Sequence, residues 1–169
     1  GENDSYVKFN ITEPSKPWDL GPANSMPRSA WTDQNVFGPP ISAVAGGVIY
    51  QQETTNDAAG QPMEWSFSTG YFRIAEGQEY AFVDQVRPDY KFGEAGQAQN
   101  AQIQVTFNVV NFPGDTPEVH GPYTFDQTTQ YISTRMRGGL MSMTFSGNDL
   151  GSFSRLGYVR YRYSAQGRR

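Results

Sequence analysis

The stretch Ala101-Gln102-Ile103-Gln104-Val105-Thr106-Phe107-Asn108-Val109-Val110-Asn111 alternates apolar and polar residues along most of its length. Ile103, Val105, Phe107 and Val109 fall on one side of an extended chain. Gln102, Gln104, Thr106 and Asn108 fall on the other. Successive side chains of a strand point to opposite faces, so the pattern predicts a strand with one buried and one wet face. Half-wet strands belong to antiparallel sheets. Pro113-Gly114-Asp115 closes the stretch with turn residues.

The same period spreads outward. Toward the C-terminus, strands are expected at Pro122–Phe125, Tyr131–Met136, Leu140–Ser146 and Ser152–Tyr163, and Gly147-Asn148-Asp149 reads as a hairpin turn. In the last strand Val159, Tyr161 and Tyr163 oppose Tyr158, Arg160 and Arg162. Toward the N-terminus, Gln78–Arg87 reads as a strand closed by Pro88. Met63, Trp65 and Phe67 share a face before it, and Val48–Gln52 reads as another short strand. No segment carries ten residues of helical period. The expected fold is all-β, an antiparallel β-sandwich or barrel-like domain over residues 47–169.

Residues 1–46 differ in kind. They hold Pro14, Pro17, Pro22, Pro27, Pro39 and Pro40, six of the chain's 11 prolines. Proline lacks an N–H and pushes its predecessor toward extended conformations, which disfavours helices and central strands. Val7, Phe9, Ile11, Trp18, Leu20, Trp31, Val36 and Phe37 are too many apolar residues for a free tail. The expectation is an extended Pro-rich arm lying on a partner or on the body.

Composition excludes several functions. The 169 residues are 37% hydrophobic and 14% aromatic, too rich for wholesale disorder. No apolar run is long enough to span a membrane, and the N-terminus lacks the basic-then-apolar order of a signal peptide. With no Cys and one His, thiolate catalysis, disulfides and Cys-based zinc sites are excluded. No cofactor, metal or catalytic residue is expected. His120 lies in a Gly-Pro-flanked loop without a sequence neighbour to make it a general base. The carboxylate pairs Asp84/Asp89 and Glu76/Glu79 are what chance provides in an acidic segment.

Charge is distributed unevenly. Residues 135–169 carry seven Arg against Asp149, a net +6, whereas the first 134 carry 16 acids and 6 bases, a net −10. Arg135-Met136-Arg137 and Arg160-Tyr161-Arg162 each set two guanidiniums on one side of a strand. If those strands are neighbours, four guanidiniums share one surface suited to carboxylates or phosphates. Arg135, Arg137, Arg155, Arg160, Arg162, Trp18 and Trp31 are therefore the candidate interface residues. The exposed aromatics also allow a sugar-stacking platform.

Gly121-Pro122-Tyr123-Thr124-Phe125, Tyr131 to Gly138 (YISTRMRG), Gly151 to Arg160 (GSFSRLGYVR) and the terminal Gly167-Arg168-Arg169 follow one another in an order that resembles the C-terminal region of tailed-bacteriophage virion structural proteins. The resemblance is to the tail hub, nozzle or DNA-stabilisation type of short-tailed phages. Trp31-Thr32-Asp33, Gly47 to Thr54 (GVIYQQET) and Thr69-Gly70-Tyr71-Phe72 fit it too, so it covers about residues 29–169. Gly139 and Ser154 stand where the pattern has Arg and Trp. The resemblance implies a non-enzymatic virion subunit, made in the bacterial host cytoplasm. It would form a ring-like homo-oligomer, contact neighbouring tail or portal proteins, and touch passing DNA transiently. The alternative is a carbohydrate-binding β-sandwich for cell-surface recognition.

Overall fold

Ile103, Val105, Phe107 and Val109 are all buried, on a strand that runs Ile103–Val110. The computed structural model describes residues 5–12, 15, 18–22, 28–44, 46–77, 79–92 and 101–168. In chain order its strands are β1 (Ser5–Phe9), β2 (Trp18–Pro22), β3 (Arg28–Thr32), β4 (Ile41–Val44), β5 (Ile49–Gln51), β6 (Trp65–Ser68), β7 (Phe72–Arg73), β8 (Glu79–Phe92), β9 (Ile103–Val110), β10 (Glu118–Phe125), β11 (Ile132–Gly138), β12 (Leu140–Gly147) and β13 (Ser154–Arg168). Among the described residues there is no helix, and all strand pairs named are antiparallel. Pro14, Pro17, Pro27, Gln78 and Arg169 lie outside the described residues.

The chain divides into two compact units, Gly1–Gln61 and Pro62–Arg169. Composition suggests a boundary at 46/47, but that point falls inside a hairpin. β5 pairs with β4 through Ile41↔Gln51 and Ala43↔Ile49, so Val48–Gln52 belongs with the Pro-rich segment. In the N-terminal unit β1 pairs with β2, and β3, β4 and β5 form a second small sheet. Ser42 and Gln52 are buried there and satisfy each other: the Gln52 amide donates to Ser42 Oγ at 2.8 Å and accepts from Arg28 at 2.9 Å.

The C-terminal unit is an antiparallel sandwich. One sheet has the order β10-β9-β12-β6, with β7 also on β12; the other is β11-β8-β13. Val83, Val86, Ile132 and Met136 of the three-stranded sheet meet Val105, Phe107, Met141, Met143 and Phe145 in one core. Each such side chain contributes about 1.5–3 kcal/mol by leaving water. Gly138 passes the chain from β11 to β12 between the layers. A Cβ there would collide with Val109 Cγ1 and reach 3.1 Å from the Val110 carbonyl oxygen.

Three local expectations change. Gly147-Asn148-Asp149 is not a hairpin: β12 and β13 lie in different sheets, and Asp149 instead accepts a hydrogen bond from the Gln102 N–H. Pro88 does not end its strand, since β8 runs on to Phe92. β11 pairs with β8 only as far as Val86, so among the described residues β8 beyond that point has β13 on one side alone. A missing N–H facing the open side of a strand costs no ladder bond. His120 lies in β10 opposite Phe107, not in a loop. Its Nε2 is 3.2 Å from Glu118 Oε1, close enough for an ion pair when protonated but poorly aligned for a hydrogen bond.

Candidate functional site

The sequence places Arg135 and Arg137 on one strand and Arg160 and Arg162 on another, and the structure sets those strands on opposite sides of β8. They are not neighbours. They nevertheless contribute to one surface, because β8 supplies its middle. On β8, Val86, Pro88 and Tyr90 turn inward, opposite Tyr161, Val159 and Leu156, three residues packed on the core. Alternation therefore sends Arg87, Asp89 and Lys91 outward. Arg155, Arg160 and Arg162 stand outward on β13, and Ser133, Arg135 and Arg137 are the exposed residues of β11.

The outer face of this sheet thus carries Arg87, Lys91, Arg135, Arg137, Arg155, Arg160 and Arg162 against Asp84 and Asp89. The sequence expectation lacks Lys91 because it ends the strand at Pro88, and lacks Arg87 because that residue forms no Arg pair of its own. Their every-other-residue spacing with Gln85 and Asp89 was the available signal.

Pairing on the face is sparse. Arg162 grips Asp84 at two points, Nε to Oδ1 at 2.8 Å and Nη2 to Oδ2 at 2.6 Å. The bond from Arg162 holds the Asp84 carboxyl below its ordinary 3.8 and raises Arg162 in turn. Among the described residues this is the face's one ion pair. Arg137 lies over the Tyr80 ring at 5.3 Å and Arg155 over Phe153 at 5.8 Å, which leaves both charges uncancelled. Arg87 is directly opposite Arg160 and Lys91 directly opposite Arg155. Like charges in those positions oppose folding. Tyr158, 80% exposed, rises beside them from a bulge in which Gly157 and Tyr158 face Asp89.

Trp18 and Trp31 belong to the N-terminal unit. Trp18 packs on Phe9 with ring centroids 4.7 Å apart, and Arg28 lies 5.5 Å over the Trp31 ring. The largest apolar exposure in that unit is one the candidate residues omit. Asn35 and Gly38 bond to each other through both backbone groups, and the Asn35 side chain caps the Phe37 N–H at 2.8 Å. This tight turn holds up Val36 and Phe37, each 98% exposed.

Asp84, of the first carboxylate pair, is not poised as a glycosidase acid. A glycosidase acid needs a raised pKa, and Arg162 moves Asp84 the other way. Glu79 lines a cavity of about 230 Å³ with Arg73, Tyr80, Phe112 and Leu140, and Glu76 is exposed in a turn. No protein-family model matches the chain, and no curated protein matches it.

Proposed function

We propose that the chain is a structural subunit of a bacteriophage tail, of hub, nozzle or conduit type, that assembles with itself and with neighbouring virion proteins. The order of motifs over residues 29–169 supports the viral class. One structural observation supports assembly: Val36 and Phe37 are raised into water by a hydrogen-bonded turn. A soluble monomer has no reason to fix two large apolar side chains at a tip, whereas a subunit can seat them in a neighbour's pocket. Ring closure by identical subunits calls for such unlike contacts, a knob on one face and its socket on another.

The test is light scattering behind size exclusion on the intact chain and on Val36→Ser/Phe37→Ser. Burying both side chains is worth about 3 kcal/mol or more, so the double variant loses at least ~100-fold in association. A discrete oligomer that dissociates in the variant supports the proposal. A monomer at every attainable concentration, or an oligomer indifferent to the substitutions, refutes this mode of assembly. Aromatic fluorescence that responds to glycans would favour the carbohydrate-binding alternative.

A further inference from the structure

We infer that the outer face of the β11-β8-β13 sheet is a binding surface for a nucleic-acid phosphate backbone. The inference begins from a cost. Folding requires only that this face be polar, and Ser, Thr or Gln would meet that need. The chain instead sets Arg87 opposite Arg160 and Lys91 opposite Arg155, and adds Arg135 and Arg137 across β8. Cross-strand repulsion of this kind is retained when an external anion relieves it.

The choice of cation narrows the anion. Six of the seven are Arg, whose planar fork suits phosphate and carboxylate oxygens. Among the described residues the carboxylates a second copy could offer are dispersed: Asp33, Glu53, Asp57, Glu64 and Glu76 stand in connections between strands rather than as a row on one sheet. The outer face of its other sheet is mostly hydroxyls and amides, such as Ser66, Ser68, Gln104, Thr106, Ser142 and Thr144, with Arg73 on β7 and with Glu64 and Asp149 beside Gln104 and Ser146 at one end. Asp115, Asp126 and Asp149 of the same unit sit in connections between strands. A phosphate backbone provides regularly repeated charge without needing a matched carboxylate at each Arg. Tyr158 stands exposed among the guanidiniums, where its hydroxyl can add a hydrogen bond to a phosphate oxygen.

This assignment does not depend on the tail reading. A monomer that binds DNA would leave it intact, and a ring that does not would overturn it alone. The experiment is fluorescence anisotropy of the full chain with a labelled, random-sequence DNA duplex, titrated in salt. Engagement of about five cations predicts a log–log slope near −4.5, or about 500-fold weaker binding at 200 mM than at 50 mM salt. Arg87→Gln/Arg160→Gln should flatten the slope by about 2 and weaken binding by more than about tenfold at low salt.

The same double variant should melt higher than the parent, because it removes an opposed like-charge pair. Lost binding with gained stability cannot be blamed on unfolding. Arg73→Gln, the loss of one charge on β7 of the other sheet, should leave binding near the parent's, whereas Arg87→Gln, also a loss of one, should weaken it. The inference is overturned if DNA fails to bind at low salt, if the slope is shallower than about −2, or if Arg73→Gln is as damaging. It is also overturned if poly-glutamate displaces DNA as well as polyphosphate does, which would make an acidic protein the occupant.

Discussion

Thr134→Val isolates one hydroxyl that holds the basic sheet in shape. Thr134 is buried in β11, and its Oγ1 donates to the Val83 carbonyl at 3.0 Å. The register passes from Ser133↔Gln85 to Met136↔Val83, so Thr134 and Arg135 together face Asp84. The ladder slips at that point, and the hydroxyl serves a carbonyl beside the slip. Valine keeps the shape and swaps the hydroxyl for a methyl. The lost bond costs about 1 kcal/mol net, rising toward ~3 if the carbonyl finds no other donor. Burying the added methyl returns about 0.8 kcal/mol. A net loss of up to about 2 kcal/mol follows, which for a domain of this size lowers Tm by up to roughly 10 °C. Urea titration and thermal melts of Thr134→Val and Thr134→Ser measure it. Serine keeps the donor and loses only the methyl, so it should be the milder change. If Thr134→Val melts with the parent, or Thr134→Ser is the worse of the two, the hydroxyl does not hold the bulge.

Two further outcomes bear on the same unit. Phe145→Ala empties a fully buried position between Phe67 and Tyr90 and should cost about 3–5 kcal/mol, read as a shift of the urea midpoint at constant slope. Asp126 accepts hydrogen bonds from the hydroxyls and backbone N–H groups of Thr128 and Thr129, led by the Thr128 hydroxyl, and these hold its carboxyl below the ordinary 3.8. A carboxyl depressed in the folded state adds stability that is complete above its unfolded pKa and is lost as pH falls through the folded value. The acid limb of a stability–pH curve should therefore be shallower in Asp126→Asn than in the parent, and an identical limb would count against the turn's contribution.

Strand periodicity was legible wherever one face is buried. Ile103 to Val109 needed no tertiary information, because burial on one side and water on the other writes itself as alternation. Pro88 and Gly147 misled for a shared reason: each has a meaning that depends on what lies across the sheet. A proline ends a strand that has neighbours on both sides, and among the described residues β8 at Pro88 has only β13. A Gly-Asn-Asp run makes a hairpin when the flanking strands pair, and β12 and β13 lie in separate layers. The Arg pairs were visible as pairs, and so was most of β8, but not its place between them. Strand order is decided by long-range packing, on which spacing within a strand is silent. Val36 and Phe37 appeared as two apolar residues among many, since nothing local in the sequence says that Asn35 and Gly38 close a turn beneath them.

The two outer faces of the sandwich obey the same folding rule and differ in charge, and that difference separates stability from function. Both alternate between bulges, and both cover one hydrophobic core. The β10-β9-β12-β6 face meets water through hydroxyls and amides that bond across strands, such as Ser68 to Thr144 at 2.8 Å, a solution with no electrostatic penalty. The β11-β8-β13 face meets it through seven cations, two pairs of them directly opposed. Since a face built mostly of hydroxyls and amides is available to this very fold, folding does not account for the basic one. Relief of that repulsion by a bound polyanion does, and it makes a prediction a purely structural account would not: neutralising Arg87 and Arg160 should make the protein more stable and less able to bind.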